Sequence, residues 1–459
     1  MHYESISYIS NQLRSRKLSP VEVTSYMLKR ISEQDTSSHS YVTVCGDYVM
    51  RRAELAEAEI RKGQWRGPLH GIPIGIKDLI YTSFATTTAG TTLHQAFLPS
   101  YNATVVDRLE KAGALILGKL KTTEQAITDH HPSVIAPVNP WANDRWPGVS
   151  SSGSGVATAK GLAFASLGTD TGGSIRLPSA ANGLTSIKPT WGRVSRYGVF
   201  PLADSLDHVG PMARSAIDAG FVFNVIAGAD PHDPSASCVP LTQCSDGIVG
   251  RLGGSKIGLP TSYVTEGTTA EIFDAWRSTA ALLGDLGAQL CEISYPSIKD
   301  VLPDWNTIAT VESAVSHIDT FPERRSEYGP VLGGFVDAGH RVSATQFAQA
   351  SIRRLSFSEQ VKALFQDVNL FLVPVIGTAV PTTVEWGRLA GANFAPYLQF
   401  TIPADMTGGP TVTFPVGFDS NGLPIAMQLC GPHFSEHILC QVVAAYQQAT
   451  DWHTYHPVE

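Results

Sequence analysis

Residues 147–178 read PGVSSSGSGVATAKGLAFASLGTDTGGSIRLP, with glycine and serine crowded at both ends of a small-residue apolar run. Gly168, Gly172 and Gly173 lead into Ser174. Glycine lets a backbone turn sharply and come close to a ligand. Successive free N–H groups in such a turn form a nest for an anion. A serine at the end of that nest, just ahead of a helix start, has donors beside it for a negatively charged oxygen. The nucleophile of an acyl transfer needs that arrangement. The apolar run 162–167 reads as a buried strand, which argues against a flexible Ser/Gly linker.

A second candidate lies in residues 69–80, LHGIPIGIKDLI. Ile72, Ile74 and Ile76 alternate as in a short strand, with Lys77 and Asp78 at its C-terminal end. Ligands meet an open α/β sheet at that end. Burial lowers a lysine's pKa, and a neutral amine is a base. From these residues alone Lys77 reads first as a surface lysine paired with Asp78 or reaching out to water.

Other chemistries fit less well. Gly113, Gly118 and Lys119 imitate a phosphate-binding loop, but Leu120 stands where a hydroxyl would meet magnesium, and the strand lies inside the motif. His130 and His131 adjoin Pro132 in a loop without a third ligand at zinc spacing, and none of the 14 histidines forms HExxH. No serine here has the G-x-S-x-G elbow. No metal or cofactor is expected.

The elements that must carry these residues alternate between helix and strand. Ser19-Pro20-Val21-Glu22 is a capping box that opens a helix over 20–32. A second helix covers 51–62 and a third 104–112, ahead of a strand at 114–117. Residues 179–215 look loop-rich. Helices follow at 215–226, 268–286, 300–320, 343–366 and 435–450. Strands follow at 256–259, 289–293, 369–375 and within 411–429. This order predicts an α/β protein with a parallel component in its sheet. With 459 residues, 43% hydrophobic, and no linker or charge block, a single domain over 1–459 is expected. The net charge of −8 argues against nucleic acid, which calls for a basic face. The 6 cysteines form no CxxC pair and fit a reducing, cytoplasmic setting. Neither a signal peptide nor a membrane span is legible.

GIPIGIKD, the VSSSGS cluster and GTDTGGSIRLPSA closely resemble the motif blocks of the amidase signature family of serine hydrolases. The resemblance continues through IKPTWGRVSRYG, SLDHVGPMARS, MTGGPTVTFPVG and GLPIAMQLCGPHFSE, and so covers nearly the whole chain. It implies one large α/β/α domain, a mixed central sheet covered by helices, with a catalytic core near residues 69–215. The family's catalytic lysine falls on Lys77, its cis-bonded bridging serine on Ser150, and its nucleophile on Ser174. Its oxyanion hole resembles the N–H groups of Thr171, Gly172, Gly173 and Ser174. Ser151, Asp170 and Arg176 then organise the loop. Val149 and Ser152 depart from the motif, replacing glycines.

The implied substrate is a small, largely apolar amide or carbamate, cleaved through an acyl-enzyme. No membrane or nucleic-acid partner is implied, and a homodimer stays open. Two alternatives remain: the glutaminase-type component of a tRNA-dependent amidotransferase, and a catalytically silent binding homologue. Leu398 occupies the place where the amidotransferase type carries an acidic residue for glutamine. Trp141, Tyr328, Trp386 and Phe400 are candidates to line an apolar pocket.

Overall fold

Ile72, Ile74 and Ile76 are fully buried; Ile72 stands just ahead of a strand that carries Ile74 and Ile76 deep inside a sheet. The computed structural model describes residues 1–244, 252–389 and 394–458. Among these residues the strands are β1 (Tyr41–Val44), β2 (Pro73–Lys77), β3 (Leu115–Leu120), β4 (Ala165–Asp170), β5 (Thr185–Lys188), β6 (His208–Ala213), β7 (Lys256–Leu259), β8 (Gln289–Glu292), β9 (Leu370–Pro374), β10 (Thr411–Phe418) and β11 (Pro424–Cys430). They form one sheet in the order β1-β3-β2-β4-β6-β5-β10-β11-β9-β7-β8. β3, β2 and β4 run parallel, as do β9, β7 and β8, and antiparallel pairs join the two groups. The fold is a large mixed sheet surrounded by helices, as the sequence implied. Strands β2 to β6, β9 and β11 are buried along their whole length, so both faces of the sheet are covered there.

Helix Pro20–Ser38 starts at the expected capping box, with Ser19 and Glu22 bonding reciprocally, and runs six residues past the expected end. Helix Thr104–Lys111 buries Val105, Val106 and Leu109, as its spacing predicts. Two expectations need correction. The strand expected at 162–167 is β4 at Ala165–Asp170, because Gly168 makes no turn. A Cβ there would lie 2.8 Å from Ser151 Oγ, so glycine serves close approach inside the strand. The loop-rich stretch 179–215 holds β5 and β6. The serine-rich SGSGVATA is helix Ser152–Ala159, buried throughout. Its small side chains let it lie close on the sheet, where Ser154 Oγ donates to Leu167 O at 2.9 Å. Packing overrides the poor helix propensity of glycine and serine here. Helices Ile6–Arg14 and Pro330–Arg341 were not expected at all.

No described helix is long and apolar enough to cross a membrane.

Candidate active site

Sheet topology delivers the charged residues to one edge. β2 and β4 are adjacent and parallel, so Lys77 and Asp170 end on the same side. β6 runs the other way with His208 opposite Asp170, which brings Asp207 and His208 to that edge as well. Ser150 arrives from the loop ahead of helix Ser152–Ala159, and its peptide bond with Val149 is cis. Lys77 Nζ lies 2.7 Å from Ser150 Oγ and 2.7 Å from Thr169 Oγ1. Lys77 and Ser150 are fully buried, whereas Ser174 is partly exposed. The Ser151 N–H donates to Ser174 O at 3.3 Å, and Ser151 Oγ bridges the backbone of Thr169. The segments carrying Ser150 and Ser174 are thereby tied side by side.

Burial drives the Lys77 pKa down to about 7, against the upward pull of Asp170 and Asp207. Burial thus brings the titration of this amine into the neutral range. The same shift is a stability cost. Between about pH 7 and 10.5 the unfolded chain binds a proton that folded Lys77 does not, so this contribution to stability falls as pH falls through that window. Below it the loss is fully developed. Lys77→Met removes the cost and is expected to stabilise the fold by up to roughly 4 kcal/mol at pH 7, less the two lost hydrogen bonds. Urea denaturation of both proteins at pH 7 and pH 10 checks this, with the difference shrinking at the higher pH.

The loop from Thr171 to Ser174 has its carbonyls and donors sorted. Trp305 Nε1 donates to Thr171 O and Thr401 Oγ1 to Gly172 O, each at 2.7 Å. Thr171 Oγ1 donates to Asp207 Oδ1 at 2.6 Å. The N–H groups of Thr171, Gly172 and Ser174 meet no acceptor among the described residues. Gly173 differs, since its N–H donates to Asp170 Oδ1 at 2.7 Å. Of the four donors expected from the sequence, this one is already engaged. Gly173 has φ +136, and a Cβ on Gly172 would lie 2.8 Å from Trp305. Both positions require glycine.

Behind the loop sits a buried ion pair. Arg176 Nη2 donates to Asp170 Oδ1 at 2.9 Å and to Asp405 Oδ2 at 2.6 Å, and Nη1 to Thr401 O at 2.7 Å. Burial opposes the charge on Asp170, but Arg176 outweighs it and holds the carboxyl well below the usual carboxylate range. Burial pushes Asp405 well up instead. Asp170 also accepts the N–H of Ile175 at 2.9 Å, so one carboxylate shapes both ends of the turn.

A family model described as Amidase matches residues 22–440. The chain belongs to the amidase signature family. The protein named amidase AmiD of Mycobacterium tuberculosis (strain ATCC 25618 / H37Rv) is 42% identical over 98% of this chain and 95% of that protein. The A-type subunit of the glutamyl-tRNA(Gln) amidotransferase of Chloroflexus aggregans is 36% identical over 100% of this chain and 98% of its own. Among solved structures, the native peptide amidase from Stenotrophomonas maltophilia superposes with a TM-score of 0.83 at 28% identity, covering 97% of this chain and 96% of that one.

The two departures from the amidase signature motif fall on opposite flanks of Ser150. Val149 packs in an apolar cluster with Trp146, Leu177 and Trp386. In that cluster Trp146 stacks on Trp386 at 4.2 Å. Ser152 Oγ lies 3.2 Å from His130 Nε2. Burial, helped by Lys121, lowers the His130 pKa to about 4, so this imidazole is neutral. The loop reading of His130 and His131 holds, and His131 bonds Ser133. Trp386 thus flanks the motif, while Tyr328 packs with Phe321, Trp141 with Phe418, and Phe400 with Tyr263.

Thr169, Asp207, Trp305 and Thr401 escaped the sequence reading. Thr169 and Asp207 stand inside the quoted motif blocks and were within reach. Trp305 and Thr401 lie far along the chain, with no local pattern to mark them.

Proposed function

We propose that this amidase-family protein hydrolyses small, largely apolar amides or carbamates through an acyl-enzyme on Ser174. The observation that carries the proposal is a buried lysine with a pKa near 7 at 2.7 Å from Ser150 Oγ. Neutral Lys77 takes the proton of Ser150 as Ser150 takes that of Ser174, and Ser174 Oγ bonds to the substrate carbonyl carbon. The N–H groups of Thr171, Gly172 and Ser174 receive the oxyanion, and losing one such donor typically costs about 3 kcal/mol. The proton returns from Lys77 through Ser150 to the departing nitrogen, and the C–N bond breaks. An amine leaves poorly unless protonated, so the relay works in both directions. Water then attacks the ester, gives its proton to the relay, and frees the acid and Ser174. The apolar cluster of Val149, Trp146 and Trp386 beside Ser150 supports a largely apolar substrate.

A screen over an acyl anilide, a smaller aliphatic primary amide that lacks the ring, and an aryl carbamate tests the reading. Anilide kcat/KM is expected to exceed that of the aliphatic amide by at least about tenfold, the order that burying a few extra apolar carbons is worth. Equal or reversed rates contradict the proposed substrate class.

The second reading is a component of a tRNA-dependent amidotransferase, favoured by the 36% identity to the Chloroflexus aggregans protein. Leu398 weighs against it, because it packs as an apolar residue beside the Trp146 cluster where the resemblance calls for an acid. Glutamine hydrolysis that appears only with a copurifying partner would favour it.

A further inference from the structure

A cavity of about 390 Å³ lies apart from Lys77, Ser150 and Ser174, none of which lines it. Its walls are Tyr263, Tyr295, Phe365, Phe371 and Phe400, with the buried Cys430 at its back. Tyr263 and Tyr295 stack at 4.6 Å with 6° between their planes, and Phe371 meets Tyr295 edge-on at 5.5 Å. Tyr263 Oη donates to Gln399 O at 2.5 Å. Tyr295 Oη has no partner among the described residues. The charges at the rim, Glu359 and Lys362, pair with each other at 3.3 Å in solvent. His433 bonds Thr407 O at 2.9 Å. Burial pushes the Cys430 thiol up to about 12, so it is neutral and unreactive.

We infer that this cavity is a second binding site, for an uncharged, flat aromatic molecule with one hydrogen-bond acceptor such as a ring-bound carbonyl. The volume is that of small-ligand sites, and apolar rings with a few placed polar groups are their usual lining. Stacked tyrosines select a planar ring. The unpartnered Tyr295 hydroxyl selects an acceptor, and the absence of an unpaired rim charge among the described residues selects a neutral molecule. One short helix, Ile402–Thr407, separates this cavity from the Ser174 loop. Pro403, Ala404 and Thr407 face the cavity, while Asp405 bonds Arg176.

The probe is 4-fluoroacetophenone, read by fluorine NMR on the full chain. Saturable binding at about 1 mM or tighter is expected for a ligand of this size. Val361 also lines the cavity, and Val361→Trp fills it and is expected to weaken binding at least about tenfold. Tyr295→Phe keeps the wall and the fold and is expected to weaken the ketone about fivefold while leaving 4-ethylfluorobenzene unchanged. Prior labelling of Ser174 with a fluorophosphonate is expected to leave binding in place. No saturable shift up to about 10 mM overturns the site. So does binding that ignores both variants, or that vanishes when Ser174 is blocked.

Discussion

Replacing Ser174 by alanine is expected to lower amide-hydrolysis kcat/KM by roughly 10⁴-fold to 10⁶-fold, the loss seen when a hydrolase is deprived of its serine nucleophile. The fold should be untouched. Ser174 is partly exposed, and removing one hydroxyl there should move the melting temperature by no more than about 2 °C. Lys77→Met should lose comparable activity through the opposite structural route, since it gains stability at pH 7. The combination is diagnostic. A scaffold lysine would lose stability on substitution, because its two hydrogen bonds to Ser150 and Thr169 would vanish with no buried charge relieved. Loss of activity with gain of stability marks a residue kept for chemistry at the expense of the fold. Ser174→Ala that retains more than about a hundredth of the activity would move the nucleophile elsewhere.

The second large effect is on stability. Arg176→Met leaves Asp170 buried without its counter-ion, while the N–H groups of Gly173 and Ile175 still point at it. Breaking one side of a buried pair typically costs about 3–5 kcal/mol. Arg176 is fully buried and bonds Asp170, Asp405, Thr401 and Gln428, so the cost belongs at the upper end of that range. The double variant Asp170→Asn with Arg176→Met removes both charges and is expected to recover about half of the loss. Urea denaturation of the two single variants and the double one gives the cycle. A cost below about 1 kcal/mol for Arg176→Met, or a double variant that only adds the two single effects, would mean that the pair is not a unit.

How much of this was legible in the sequence depended on whether local pattern or long-range packing decided each position. Ile72, Ile74 and Ile76 announced β2, and Lys77 followed them to the sheet's edge. The capping box at Ser19 fixed the start of its helix to the residue, because that signal is complete within four positions. The GTDTGGS block marked Ser174 and its donors. Helix Ser152–Ala159 was illegible, because glycine and serine are there to let it approach Pro178 and Lys121 closely, not to favour a helix. Gly168 misled for the same reason, reading as a turn where it is a contact. β5 and β6 hid at either end of the Pro- and Gly-punctuated loop 189–207, which occupies more chain than the strands. Gly173 was expected to offer its N–H to substrate. Only the structure shows that Asp170 takes it, since the carboxylate's reach depends on how Arg176 orients it. Trp305 and Thr401 hold the loop's carbonyls from more than a hundred residues away, a contact that no window of sequence contains.

The most direct test of the proton relay is the pH dependence of the rate at which a fluorophosphonate modifies the protein, with the modified residue found by mass spectrometry. The relay predicts an adduct on Ser174 and a rate that rises with one deprotonation centred near pH 7, where burial sets Lys77. It also predicts that Lys77→Met flattens the profile and lowers it throughout. An adduct on any other residue, or the same midpoint in Lys77→Met as in the unaltered protein, would contradict it.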